Sequence, residues 1–80
     1  MIEFKLQNHE YIPLNKLMKL LNLVQSGGEA NQAIEEGLVK VNNVLETQKR
    51  KKLRAGDKVE FQENVVSISA GLESQRKTSL

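Results

Sequence analysis

Four adjacent cations, Lys49, Arg50, Lys51 and Lys52, are the residues of this chain best suited to chemistry, and that chemistry is the binding of phosphate. Lysine offers a compact point charge, and arginine a planar fork of donors that matches two phosphate oxygens. Arg54 follows the run and Lys40 precedes it. Between Leu38 and Arg54 six basic residues stand against Glu46 alone, a surplus of five, whereas the rest of the chain carries six basic and nine acidic residues. The formal net charge of +2 therefore hides a lopsided distribution. Positive charge concentrated on a slightly acidic remainder suggests a polyanion-binding surface, because neutralising phosphates releases their condensed counterions. A run of like charge is often only a solvated loop. Here the cations repel one another and nothing nearby in sequence is acidic enough to offset them, which favours a binding role.

Other chemistries are poorly provided for. Ser26 has no histidine near it in sequence to take its proton, and Glu29 three positions on makes it a helix cap instead of a nucleophile. His9 is the sole histidine, and with no cysteine there is no thiolate metal site, cysteine nucleophile or disulfide. No catalytic residue, metal site or cofactor is expected. Gly27-Gly28 resembles a phosphate loop only superficially, since the lysine and the serine or threonine of such loops are missing. It would still let a phosphate approach the first N–H groups of the following helix, which places Ser26 and Gly27 among the candidate binding residues. Lys16 and Lys19 join them from a helix face opposite an apolar stripe, a kind of face that is often merely solvated. Phe4 and Phe61 alternate with polar neighbours as core residues do. That leaves Tyr11 alone for base stacking, so single-strand binding by stacking is not expected.

These side chains must be positioned by a chain of 80 residues, enough for one small domain with a modest core. Ile2, Phe4 and Leu6 alternate with Glu3 and Lys5 as a first strand does. Gln7 to Glu10 is a polar connection, and Pro13 is acceptable in a first helical turn. A helix over Leu14 to Asn22 buries Leu14, Leu17, Met18 and Leu21, with Leu20 beside them. Leu23 and Val24 lead to a capping box, in which Ser26 takes a helix N–H and Glu29 reaches back to the N–H of Ser26 itself. Ala30, Ala33 and Ile34 form a narrow apolar face, and Gly37 ends that second helix. Val39-Lys40-Val41 is a half-buried strand, Asn42-Asn43 a tight hairpin turn, and Val44-Leu45 the start of the return strand. Leu53 is an apolar anchor, Ala55-Gly56-Asp57 a turn, and Val59 with Phe61 a strand. Glu63-Asn64 is the next turn, and Val65, Val66 and Ile68 form the last strand. The domain is expected to span residues 1–70 and a mobile tail residues 71–80. No apolar run approaches the roughly 20 residues needed to cross a membrane, and the opening lacks the basic-then-apolar order of a signal peptide, so the expected location is the cytoplasm.

Taken together, Leu14-Asn15-Lys16, Leu23, Ser26, Ala30, Ile34, Gly37, Val39-Lys40-Val41-Asn42 and Gly56-Asp57 resemble, in order and spacing, the RNA-binding domain named after ribosomal protein S-four. The resemblance runs from about Pro13 to Phe61 and is strongest to small stand-alone bacterial members, which begin with an extra strand. It implies an alpha-L arrangement of the two helices and hairpin, and a structured RNA as partner. Where the family often has arginine after the capping serine, this chain has Gly27. Where the family tends to open its first helix with Arg-Leu-Asp, this chain has Pro13-Leu14-Asn15. Those losses shift the expected contact toward the basic run after the hairpin.

The expected fold is α+β, with two packed helices against a small, mainly antiparallel sheet. The expected function is non-enzymatic, monomeric binding of structured RNA, of the ribosomal or transfer RNA class. Its contacts are Lys40, Lys49, Arg50, Lys51, Lys52 and Arg54, which position phosphates without reading base sequence. The ribosome is a natural setting for such a protein. The competing expectation is a ribosome-associated interaction module whose basic loop docks an acidic partner.

Overall fold

Alternation of apolar and polar residues makes the first strand, β1 (Ile2–Lys5), with Ile2 and Phe4 packed against the core and Glu3 and Lys5 exposed. The structure is a computed structural model that describes residues 1–71. The mobile tail expected from Gly71 onward lies, beyond Gly71 itself, outside the described residues. After β1 come β2 (Ile12–Pro13), α1 (Leu14–Leu20), α2 (Gly27–Glu35), β3 (Val39–Val41), β4 (Val44–Leu45), β5 (Lys52–Leu53), β6 (Lys58–Phe61) and β7 (Asn64–Ser69). Five strands form one sheet in the order β1-β7-β6-β3-β4, and β2 pairs with β5 in a second, two-stranded sheet. Only β1 and β7 run parallel; the other pairs are antiparallel. The fold is thus α+β with a mainly antiparallel sheet.

Pro13 stands one position earlier than expected relative to the helix. It is the N-cap of α1, in extended backbone at φ −64° and ψ 143°, because the same residue closes β2. The helix also stops at Leu20, short of Asn22. Asn22 turns left-handed at φ 59°, while its N–H donates to the Lys19 carbonyl at 3.1 Å and that of Leu23 to the Met18 carbonyl at 3.0 Å. This bond pair closes a helix on a left-handed residue, a conformation that asparagine tolerates. Gly37, at φ 77°, ends α2 in the same way, with Gly37 N–H on Ile34 and Leu38 N–H on Ala33, both at 3.1 Å.

At the start of α2, Ser26 Oγ accepts the Glu29 N–H at 3.1 Å, as the capping pattern requires. The reciprocal bond differs from expectation: Glu29 Oε1 accepts the N–H of Gln25, at 2.7 Å, and not that of Ser26. Ser26 is fully extended at φ −151°, and successive N–H groups of extended backbone alternate in direction, which leaves the preceding one in reach.

The core lies between the helices and the five-stranded sheet. Leu14, Leu17 and Met18 of α1 and Ala30, Ala33 and Ile34 of α2 meet Val39, Val41, Val59, Phe61, Val66 and Ile68 from the strands, all buried. Leu21 is half-buried at its margin, and Leu20 is 55% exposed. Asn42 and Asn43 take φ 54° and 70°, the positive pair of a two-residue hairpin. The β6–β7 turn comes one residue earlier than expected, at Gln62-Glu63. Gln62 carries the positive φ of 58°, and Asn64 already pairs with Phe61.

Candidate nucleic-acid interface

The basic run is tied to the helices through its own backbone. The first helix has no side-chain cap, since Pro13 occupies that position. The Lys51 carbonyl accepts the Leu14 N–H at 2.9 Å and the Lys49 carbonyl accepts the Asn15 N–H at 3.1 Å. Two N–H groups that a helix start leaves without intrahelical partners are thereby satisfied. Immediately afterward β5 pairs with β2, Lys52 opposite Pro13 and Leu53 opposite Ile12. Ile12 and Leu53 are buried, so strand alternation drives Leu53 into the core and leaves Lys52 and Arg54 exposed. Arg50 and Lys49 are exposed as well, and Lys51 is half-buried.

Four further contacts shape the surface. Lys49 Nζ lies 2.7 Å from Glu35 Oε2 at the end of α2, so the run has an acidic neighbour that its local sequence does not show. With 45% and 55% of the two side chains exposed, this ion pair contributes little to stability. Its effect is to lower the charge offered to a ligand. Asn15 Nδ2 donates to Asn31 Oδ1 at 3.0 Å and links α1 to α2 beside the capped end. The Lys52 ammonium and the Arg54 guanidinium lie 5.0 and 5.6 Å from the centre of the Tyr11 ring, within cation–π range.

The remaining candidates divide. Lys16 and Lys19 are exposed on α1, the helix that the run caps. Ser26 and Gly27 stand at the opposite end of α2 from Glu35, which Lys49 meets, roughly 12 Å along the helix axis at 1.5 Å per residue. Ser26 Oγ, moreover, is engaged as the cap. Lys40 points away from the core on β3, with Leu45 and Glu60 as its lateral neighbours. Among the described residues no group of three or more histidine, cysteine or carboxylate side chains could hold a metal ion. None of their helices is long and apolar enough to cross a membrane.

Sequence reasoning missed Glu35, Asn31 and the partnership of Tyr11 with the run. Asn15 and Asn31 had one available sign, as polar residues beside the narrow apolar faces of two helices expected to pack. Glu35 and Tyr11 had none, because both contacts join segments far apart in the chain.

A short α1 capped by the loop after a β-hairpin, packed on a capped α2 and a mainly antiparallel sheet, defines a class. The chain belongs to the S4 domain family, whose model matches residues 4–69. It is 41% identical over 70 residues to an Escherichia coli (strain K12) protein named "Putative RNA-binding protein YbcJ", covering 88% of this chain and all of that one. The same identity and coverage relate it to "Uncharacterized protein YbcJ" of Shigella flexneri. The solution structure of the E. coli YbcJ, described as revealing an alpha-L motif involved in RNA-binding, superimposes with a TM-score of 0.69. That match covers 88% of this chain and 89% of the solved one, at 41% identity. The arrangement of α1, α2 and the following hairpin is therefore the alpha-L motif.

Proposed function

We propose that this protein binds structured RNA, of the ribosomal or transfer RNA class, and acts by binding and not by catalysis. The observation that carries the reading is the anchoring of the basic run, whose Lys49 and Lys51 carbonyls cap the first helix of the alpha-L motif. Cations on a tethered backbone lose less freedom on meeting phosphates than cations on a free loop. Arg50, Lys51, Lys52 and Arg54 supply the principal phosphate contacts, with Lys49 in exchange with Glu35. Lys16 and Lys19 extend the surface along α1, while Ser26, Gly27 and Lys40 are peripheral to it. The working unit is a monomer formed by residues 1–70, placed in the cytoplasm and suited to association with the ribosome.

The test compares two sets of glutamine substitutions for binding to a transfer RNA transcript across a salt series. Replacing Lys49, Arg50, Lys51 and Lys52 together should weaken binding strongly and flatten log affinity against log salt, by roughly 0.7 to 0.9 per lost contact. Replacing Lys5 and Lys58 should do much less. Equal slopes for the two sets, or displacement of the wild-type protein by a synthetic acidic peptide but not by unlabelled RNA, would make the run a protein-docking loop.

A further inference from the structure

A cleft of about 530 Å³ opens between β1 and α1, with Phe4, His9, Tyr11, Lys16 and Leu20 among its lining residues. Sites that take up small molecules span roughly 300 to 1,000 Å³, so the space suits one nucleotide. Its apolar surface is not spent on the core. Leu20 is 55% and Tyr11 37% exposed, and both open into this one cleft. Nor is Tyr11 loosely placed. Its neighbour Ile12 is buried opposite Leu53, and Lys52 and Arg54 lie 5.0 and 5.6 Å from its ring centre. Neither cation is among the residues that line the cleft.

Resting on the RNA-binding reading, we propose that the cleft receives one unpaired nucleotide of the bound RNA. Its base stacks on Tyr11 and rests on Leu20, with one flanking phosphate on Lys16 and the other on Lys52 and Arg54. Charge complementarity selects this occupant. The site combines an exposed aromatic ring and an apolar neighbour with Lys16 on the cleft lining and Lys52 and Arg54 within 5.6 Å of the ring centre, and a nucleotide is a flat ring between two anionic links. An acidic peptide would satisfy the cations and leave the platform uncovered, and an uncharged apolar molecule would do the reverse. Glu3 and His9, on the wall of the same cleft, are polar groups available to base edges. The protein would thus recognise a junction between paired and unpaired RNA, with the basic run on the paired side.

The chain has one tyrosine and no tryptophan, so its intrinsic fluorescence reports Tyr11 alone. The probes are a blunt RNA duplex and the same duplex carrying an unpaired tail of adenosines and uridines. The tail should strengthen wild-type binding about tenfold, the scale of one base–aromatic stack, and should quench the tyrosine emission. Tyr11→Phe should keep most of that gain, and Tyr11→Leu should bring the ratio of the two affinities close to one. Leu20→Gln, at a position too exposed to endanger folding, should cut the ratio about threefold. Binding of both RNAs with no gain from the tail, a gain that survives Tyr11→Leu and Leu20→Gln, or unquenched emission overturns the nucleotide site and leaves the RNA reading standing. Failure of both RNAs to bind overturns both readings.

Discussion

Asn42 donates from Nδ2 to Asp57 Oδ1 at 3.0 Å and so joins the hairpin turn after β3 to the turn before β6. The other carboxylate oxygen of Asp57 accepts the Arg54 N–H at 2.8 Å, and Asn42 Oδ1 accepts the Lys58 N–H at 2.9 Å. Asparagine after the Val-x-Val strand and aspartate after glycine, two features of the family resemblance, are thus one clasp. Because it holds the Arg54 backbone, the clasp also sets where the basic segment ends.

Removing either half of the clasp should destabilise the domain without touching its core. Asn42→Gly keeps the backbone at ease at φ 54° while deleting both side-chain bonds, and should cost about 1 to 2 kcal/mol. Asp57→Ala should cost about 2 kcal/mol, since the lost bonds are to a charged acceptor. Urea midpoints of the two variants and the double variant give the coupling, and the double should lose less than the sum. Strict additivity would mean that the bond is not formed in solution.

Ser26→Ala should lower stability by about 1 kcal/mol with no change of charge, through loss of the bond that the Glu29 N–H donates to Oγ. Glycine at the same place should cost only a few tenths of a kcal/mol. A denaturation midpoint unmoved in the alanine variant would place the helix start elsewhere.

Leu53 is fully buried beside two exposed cations, and Leu53→Ala should cost about 2 to 5 kcal/mol. The same change loosens β5 from β2 and with it the capping of α1. RNA affinity should therefore fall even at temperatures where the variant is folded, and affinity measured well below its melting point checks this. Full retention of affinity would show that the cations act independently of their anchorage.

Glu35→Gln frees Lys49 from its 2.7 Å partner. Stability should change by less than about 1 kcal/mol, because the pair is half exposed. Binding to a transfer RNA transcript should tighten, and its salt slope should steepen by up to about 0.9, the share of one phosphate contact. An unchanged slope would remove Lys49 from the contact set.

Local features of the fold were readable because each rests on chemistry within a few residues. The alternation of Ile2 and Phe4, the cap formed by Ser26 and Glu29, the Ala30-Ala33-Ile34 stripe, Gly37 and the Asn42-Asn43 turn all fall where their types put them. What escaped has no local period. A strand of two residues, such as Ile12-Pro13 or Lys52-Leu53, is too short to show alternation and exists only because the other pairs with it. For the same reason the run Lys49 to Lys52 reads as a free loop until its carbonyls are seen on Leu14 and Asn15. The cations themselves were recognisable from charge density, but their partners Glu35 and Tyr11 were not.

The parallel pairing of β1 with β7 has a consequence for how the protein is made. Ile2 lies opposite Val66, so β1 must wait for the last strand of the sheet before it finds its place. At roughly 5 to 20 residues per second that wait lasts several seconds. Throughout it Ile2 and Phe4 remain uncovered on the nascent chain. Helices α1 and α2 and the β3–β4 hairpin, by contrast, close over short sequence separations and can form while translation continues. The two helices and hairpin of the alpha-L motif thus depend on shorter-range contacts than the β1–β7 edge that completes the sheet, and a chain interrupted before β7 would carry β1 unpaired.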